Sequence, residues 1–212
     1  MNIQTYSPLE IEKRSFEIIT ESLGERPLDP EVAPIIKRVI HTSADFEFAD
    51  TLVFTHQAAR TLIAALRSGA DIVTDTQMVK AGINKSSLGR WGGTVHCFMS
   101  DADVAEQAKA RDMTRAAISM EKACTLPNPV IFAIGNAPTA LIRLRELIDQ
   151  GQIQPVGIIG VPVGFVNVVE SKELILESSV PCIVARGRKG GSTIAAAICN
   201  ALLLMAEGKE TN

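Results

Sequence analysis

A short segment in the last quarter of the chain carries residue types that bind anions. In residues 186–192, Arg-Gly-Arg-Lys-Gly-Gly-Ser, three cationic side chains alternate with three glycines ahead of an apolar helical run. Arginines such as Arg186 and Arg188 form paired hydrogen bonds to carboxylates and phosphates, and glycine lets a backbone approach a ligand closely. The spacing matches neither GxGxxG nor GxxxxGKS/T, so it indicates neither a dinucleotide site nor a P-loop. The segment predicts either a site for another anionic group or a solvated basic loop.

A second candidate anion site lies at residues 135–139, Gly-Asn-Ala-Pro-Thr, where a β-branched run ends. Asn136 follows the glycine of a predicted turn, and the proline before Thr139 predicts the start of a helix. A helix N-terminus exposes free N–H groups and the positive end of a dipole, which together bind carboxylates or phosphates. The alternative is that Asn136 only caps the helix.

An apolar stretch, Gly160–Val166, lies between these two segments, where a loop is expected to be polar. At a ligand-binding edge, such a loop favours contact with a flat, partly apolar ligand or with a partner subunit. The alternative is a buried crossover. The Glu-Ser-Lys run that ends at Lys172 lies on the helix that follows and is compatible with surface ion pairing.

Three histidines are the candidates for proton transfer, because imidazole is the natural acid or base near neutral pH. His41 is predicted at the end of a helix, His56 in the first turn of another and His96 inside a strand. For His41 the alternative is a residue that only caps carbonyl groups and opposes the helix dipole. The chain has no nucleophile elbow, HExxH or paired-carboxylate motif, so hydrolysis, redox chemistry and metal catalysis lack support. An enzyme with these residues would hold an anionic ligand and use little beyond one acid.

The elements that must position these residues are strands that alternate with helices. Three apolar runs, residues 131–134, 157–160 and 182–185, each stop at a glycine-containing turn before a helix begins. Such a series predicts parallel strands whose carboxyl ends share one edge of a sheet, where open α/β proteins bind ligands. We expect an α/β fold with three layers and a doubly wound, mainly parallel sheet of about five strands, flavodoxin-like, in a single domain over residues 1–212.

Helix boundaries are predicted from capping residues. Ser7 with Pro8 starts a helix that ends before Gly24, and Asp29 with the next proline starts a second one that ends near His41. Thr55 is expected to cap a third helix, and Asp101 a long one that runs to about residue 124. The last helix, about residues 192–206, is apolar on most faces, which predicts burial against the sheet or a subunit interface.

The composition excludes several classes of protein. Apolar residues make up 46% of the 212 residues and charged residues 21%, which is typical of a globular chain. A net charge of −3 argues against a nucleic-acid-binding protein. The four cysteines match no zinc or disulfide spacing, which favours the reducing cytoplasm. No stretch is long and apolar enough for a transmembrane helix, and the N-terminus lacks the pattern of a signal peptide.

Eight motifs lie in a recognisable order along nearly the whole chain: 14–16 (RSF), 39–45 (VIHTSAD), 65–70 (ALRSGA), 75–83 (DTQMVKAGI), 114–117 (TRAA), 135–141 (GNAPTAL), 160–166 with 170–172 (GVPVGFV and ESK) and 186–192 (RGRKGGS). Each motif alone is weak, but eight in family order are specific. In this order the chain resembles the precorrin-8X methylmutases of corrinoid (vitamin B12) biosynthesis, including their cobalt-precorrin-8 counterparts.

The resemblance implies an isomerase that moves a methyl group from C-11 to C-12 of the tetrapyrrole ring, giving hydrogenobyrinate or, with cobalt, cobyrinate. It implies no cofactor and no bound metal, and it places the catalytic acid at His41, where it protonates or hydrogen-bonds a ring nitrogen. It also implies a homodimer whose site lies near the subunit interface. The expected ligands of the substrate carboxylates are Arg14, Ser15, Arg115, Asn136, Thr139, Lys172, Arg186 and Arg188.

One departure from the family pattern lies at residues 167–169, Asn-Val-Val, where smaller residues are usual; the added bulk could trim the pocket. The runner-up function is a non-catalytic corrinoid or tetrapyrrole binder in which His41 is only a cap. A flavodoxin-like nucleotide or flavin protein and a methyltransferase are rivals from other classes. The resemblance does not decide whether the natural substrate carries cobalt.

Overall fold

The computed structural model describes residues 7–209. Helices and strands alternate along the part of the chain that it describes, and their bounds are α1 Pro8–Leu23, α2 Ala33–Ser43, α3 Phe48–Thr51, β1 Leu52–Phe54, α4 Ala58–Arg67, β2 Asp71–Thr74, α5 Gln77–Gly82, α6 Lys85–Gly89, β3 Val95–His96, α7 Ala102–Ala110, α8 Arg115–Ala123, β4 Val130–Ile134, α9 Pro138–Asp149, β5 Gly157–Gly160, α10 Val168–Leu176, β6 Cys182–Ala185 and α11 Ser192–Ala206.

The six strands form one sheet in the order β1-β6-β5-β4-β2-β3. The five strands β2 to β6 are parallel, whereas β1 pairs antiparallel with β6 at the edge. Without β1 the order is the 2-1-3-4-5 arrangement of flavodoxin-like folds, and the direction of winding reverses between β2 and β4. The expected α/β fold is therefore confirmed, with one antiparallel edge strand that the sequence did not indicate.

Both faces of the sheet are buried, which explains why its strands are apolar runs without polar alternation. Along β4, Ile131 and Ala133 belong to a core shared with α2, α4 and α11. Phe132 and Ile134 face the opposite side and pack against helices α8, α9 and α10. The three-layer arrangement thus follows from the period-two alternation of one strand.

Helix α11 is the centre of one of these layers. It packs against β4 and β5 and also against α2, α4, α5 and α6. Ten of its fifteen residues are buried, so of the two alternatives for this helix, burial against the sheet is the one observed.

Several local boundaries differ from those expected. The second helix begins at Ala33, because Asp29 forms a turn with its carboxylate accepting from the Glu31 N–H at 2.9 Å. Thr55 does not cap α4; its hydroxyl accepts from the Cys182 N–H at 3.0 Å. The long helix expected after Asp101 is two helices, α7 and α8, separated by a turn in which Asp112 has a φ of 50°.

Helix directions decide which ends meet at the carboxyl edge of the sheet, the edge where the parallel strands end. Helices α8 to α11 run against the strands and begin at this edge. Helix α2 ends there, because Asp45, just beyond it, reaches the segment after β6. Helix α1 runs antiparallel to α2, with Lys37 Nζ 3.0 Å from Thr20 Oγ1 and Arg38 2.7 Å from Glu12. The N-terminal half of α1 therefore lies beside the end of α2.

Candidate active site

His41 lies in the last turn of α2 and its side chain is exposed. Its imidazole stacks on the ring of Phe16 from α1, with centroids 5.1 Å apart and an angle of 18° between the planes. Phe16 is itself buried, and the guanidinium of Arg38 lies 4.8 Å from its ring centroid. A fixed aromatic ring thus supports one face of an imidazole that remains open to solvent.

The chain turns sharply after His41. Ala44 adopts a left-handed conformation with a φ of 54°, and its N–H donates to the Ile40 carbonyl at 2.7 Å. A non-glycine residue in this region is uncommon, and such residues concentrate at functional sites. The turn brings Asp45 towards the basic segment that follows β6.

Lys189 joins that basic segment to the turn. Its ammonium lies 2.6 Å from the Asp45 carboxylate and 2.8 Å from the Glu47 carboxylate. The hydrogen bond from Lys189 lowers the pKa of Asp45, and both carboxylates raise the pKa of Lys189. These exposed pairs contribute little to stability, but they connect the helix that carries His41 to the third strand–helix junction.

Lys172 supports the same segment from below. Its side chain is fully buried on α10, and its ammonium donates to the carbonyl oxygens of Gly187 and Lys189, both at 2.8 Å. Burial lowers its pKa from 10.5 to about 8. The role of Lys172 as a carboxylate ligand stays a prediction, and in this structure the ammonium is enclosed and its acceptors are backbone carbonyls.

The second and third junctions are joined by their backbones. The Gly191 N–H donates to the Val161 carbonyl at 2.8 Å, and the Gly164 N–H donates to the Arg188 carbonyl at 3.2 Å. A Cβ atom at Gly190 would lie 2.2 Å from the Val161 carbonyl oxygen. Only glycine permits this approach, so the glycines of the basic segment serve the contact between two loops.

The apolar loop has a buried beginning and an exposed end. Val161 and Pro162 are buried, as the crossover alternative requires. Phe165 and Val166 are 85% and 78% exposed, and they form an apolar surface at the carboxyl edge. Val163 in the same loop and Met78 on α5 are further exposed apolar side chains at this edge. The four residues Met78, Val163, Phe165 and Val166 are called the apolar strip below.

The departure at residues 167–169 has a local explanation. Asn167 has a φ of 57°, a conformation that asparagine tolerates better than most residues. Val168 is 1% exposed and packs in the core. The added bulk of Val168 therefore fills the interior of the protein and does not narrow the edge.

At the first junction the expected anion site is already occupied by the protein's own carboxylate. Asp75, which follows β2, accepts hydrogen bonds from the N–H groups of Gly135, Asn136 and Ala137 at 2.9, 2.8 and 2.6 Å. Burial raises the pKa of the Asp75 carboxyl, and the three N–H donors act in the opposite direction. These three N–H groups are therefore engaged within the protein, and the binding of a substrate carboxylate near Asn136 and Thr139 stays a prediction.

The side chains of this junction remain at the edge. Asn136 is exposed, and Thr139 accepts a hydrogen bond from the Thr114 hydroxyl at 2.9 Å. Asp75 was not predicted as a site residue. Its only signal in the sequence is an acid directly after a β-branched run, within one of the segments that carry the family resemblance.

The remaining expected ligands differ in whether their side chains already have partners within the protein. Arg14 pairs with Glu17 and Glu21, and Arg186 forms two bonds of 3.1 Å to Glu173. The Ser15 hydroxyl donates to the Ile11 carbonyl within α1. Across residues 7–209, no carboxylate lies within ion-pair distance of two exposed arginines at the edge, Arg115 and Arg188.

The other two histidines lie away from this edge. The His56 ring is 3.2 Å from the Ser178 carbonyl oxygen. His96 lies 3.2 Å from the buried carboxylate of Asp71, at the start of β2 and so at the opposite edge of the sheet. Both rings have structural partners.

Two negative findings apply to residues 7–209. They contain no group of three or more His, Cys, Asp or Glu side chains that could hold a metal ion. They also contain no helix that is long and apolar enough to cross a membrane.

Comparisons with known proteins indicate one family for this chain. A family model described as precorrin-8X methylmutase matches residues 10–205. The chain is 48% identical to the cobalt-precorrin-8 methylmutase of Priestia megaterium, over 98% of this chain and 92% of that protein. It is 38% identical to the precorrin-8X methylmutase of Pseudomonas aeruginosa, over 91% and 93%. A crystal structure of precorrin-8X methyl mutase from Thermus thermophilus superimposes with a TM-score of 0.85 at 37% identity, over 93% of this chain and 98% of that one.

Proposed function

This chain belongs to the precorrin-8X methylmutase family and is an isomerase of cobalamin biosynthesis, and we propose that His41 is the acid of its reaction. The methyl shift breaks the bond from the methyl carbon to C-11 and forms a bond to C-12, so no atom enters or leaves. An acid that protonates or hydrogen-bonds the adjacent ring nitrogen draws electrons from the macrocycle and lowers the barrier. The observation that carries this assignment is the exposed His41 ring, supported by Phe16, at the carboxyl edge of the sheet.

The surroundings of His41 match the two parts of the substrate. The flat apolar macrocycle can pack on the apolar strip, whose Phe165 and Val166 are the most exposed large apolar side chains of residues 7–209. The acetate and propionate groups around the ring can pair with Arg115 and Arg188, which have no carboxylate partner in that part of the chain. Arg14, Ser15, Asn136, Thr139 and Arg186 complete the proposed set at the same edge. Holding the ring in one orientation supplies the rest of the rate enhancement.

We propose cobalt-precorrin-8 as the first substrate to test, with metal-free precorrin-8X as the comparison. The relatives from Priestia megaterium and Salmonella typhimurium, 48% and 44% identical to this chain, are both named cobalt-precorrin-8 methylmutases. In residues 7–209 no side-chain cluster could bind cobalt independently. We propose that cobalt enters as part of the substrate. Comparing kcat/KM for the two substrates decides between them.

A homodimer with its site near the interface is the proposed assembly. The apolar strip supports it, because an exposed apolar surface of this kind marks a ligand site or a protein interface. Light scattering on the purified protein measures the mass directly. The proposed location is the cytoplasm, which fits the four free cysteines, three of them buried.

The test of the acid role is His41→Asn, with His56→Asn as the matched control. The asparagine keeps a polar group of similar size but cannot donate a proton at neutral pH. We expect turnover to fall by about 100- to 10,000-fold, the usual contribution of a general acid, while cobyrinate still binds. The control is expected to isomerise substrate normally, because His56 lies away from the edge. Normal turnover by His41→Asn would refute the acid role, and wild-type protein that binds corrinoid without turnover would favour a non-catalytic binder.

A further inference from the structure

We infer that Lys172 is a positioning residue that shapes the loop 186–191 for anion binding and does not touch the substrate. The inference rests on the proposed function, in which that loop holds a carboxylate of the substrate. Lys172 was expected to be a ligand, and its burial assigns it a different task.

The first step is the direction of the loop's carbonyl groups. The Lys172 side chain is buried, and its ammonium donates to the carbonyls of Gly187 and Lys189 at 2.8 Å each. The carbonyl between them, that of Arg188, accepts from the Gly164 N–H at 3.2 Å. Three consecutive carbonyl oxygens are thus engaged by donors of the protein itself.

The second step is the geometry of the peptide bond. In a trans peptide the N–H points opposite to the C=O of the preceding residue. The N–H groups of Arg188 and Gly190, which share a peptide with the two carbonyls held by Lys172, therefore point away from the Lys172 ammonium. Within residues 7–209 none of these N–H groups has a hydrogen-bond acceptor. Free N–H groups in a glycine-containing loop are donors for an anion, and the Arg188 side chain adds a guanidinium beside them.

The third step is the cost of keeping Lys172. A buried ammonium without a carboxylate partner is unfavourable, and its burial is reflected in a pKa lowered to about 8. The charged groups around it are already paired: Glu173 on its own helix with Arg186, Arg145 on α9 with Asp149, and Lys189 with the acids of the α2–α3 turn. An apolar side chain would avoid this cost, but it could not hold two carbonyls inward.

The experiment compares Lys172→Met, which removes the donor, with Lys172→Gln, which keeps an uncharged donor. Lys109→Met, an exposed site on α7, is the matched control. We expect KM to rise by about ten- to hundredfold in Lys172→Met, by less in Lys172→Gln and not in the control. This range corresponds to the loss of one charge-assisted hydrogen bond between the displaced loop and a substrate carboxylate. The kcat at saturating substrate is expected to stay within about twofold, because His41 is unchanged. A merely structural role would reduce the active fraction, and so kcat, while KM stayed at the wild-type value; that result would overturn the inference.

Two further measurements keep the outcomes distinct. Arg188→Ala tests the loop itself: if it raises KM while folded Lys172 variants retain the wild-type KM, the positioning role alone fails. If Arg188→Ala also leaves KM unchanged, the loop is not the carboxylate site and the proposed function of the loop fails with it. If Lys172→Met does not fold, the folded Lys172→Gln variant decides. A KM for Lys172→Gln equal to that of wild type overturns the inference.

Discussion

Replacing Asp75 by asparagine should destabilise the protein strongly, although the two side chains have nearly the same shape. The carboxylate accepts three N–H bonds from the β4–α9 junction, one at Oδ1 and two at Oδ2. Asparagine has a single acceptor oxygen, so at best the two bonds at one position survive and the amide group faces the third N–H. An unsatisfied buried N–H costs about 1–3 kcal/mol, and each of the two surviving bonds loses charge assistance worth about 1 kcal/mol, a gross loss of about 3–5 kcal/mol. Relief of the buried negative charge offsets part of this loss, so we expect a net loss of about 2–4 kcal/mol in the free energy of unfolding.

Urea denaturation followed by circular dichroism measures this loss as a lower midpoint with an unchanged slope. Asp112→Asn is the matched control, because Asp112 is exposed and its φ of 50° suits asparagine equally well. The control should lie within about 0.5 kcal/mol of wild type. If Asp75→Asn is equally mild, the three N–H bonds do not fix the junction and the reasoning about its rigidity fails.

The other predictions concern the loops at the same edge. Gly190→Ala should lower the free energy of unfolding by about 2–3 kcal/mol, because its Cβ would lie 2.2 Å from the Val161 carbonyl oxygen. Thermal melting measures the loss, with Gly208→Ala as the control. Both glycines have a positive φ, but a Cβ at Gly208 would meet no atom within 4 Å, so the difference between the two variants reports the contact with Val161. Phe165→Ser should raise KM for the corrinoid severalfold without changing stability, since the ring is 85% exposed; an unchanged KM would remove the apolar strip from the site. Wild type should gain stability relative to Lys172→Met between pH 8 and pH 10. In that range Lys172 has lost its proton in the folded protein, where its pKa is about 8, but still holds it in the unfolded chain, where its pKa is 10.5. The stability of wild type relative to Lys172→Met should therefore rise by up to about 1.4 kcal/mol per pH unit. A stability difference that is constant or falls with pH contradicts the buried ammonium.

The sequence was sufficient for the parallel strands and for the edge at which they end. The apolar runs of β4, β5 and β6 are short and stop at turns, and this local pattern has few alternatives. The sequence does not indicate strand β1, because it has three residues and lies directly after a short helix. The break between α7 and α8 was missed because Asp112 makes the turn without a glycine or proline to mark it.

The candidate site was predicted in its location more than in its contacts. His41 was reached through a family resemblance, since its position at a helix end indicates a cap as readily as an acid. Lys172 was expected to be a ligand through the same resemblance, and its burial beneath the loop was not anticipated because a lysine is rarely buried. The bonds from Asp75 to the β4–α9 junction join residues about sixty positions apart, and no local pattern reports such a pairing.

The carboxylate of Asp75 also has a consequence for ligand discrimination. In folds with this strand order, the point where the winding reverses is where a flavin or nucleotide phosphate is received. Here the Asp75 carboxyl group already accepts hydrogen bonds from the N–H groups of Gly135, Asn136 and Ala137. A phosphate at that place would have to compete with Asp75 for these three donors, although the strand order is that of nucleotide binders.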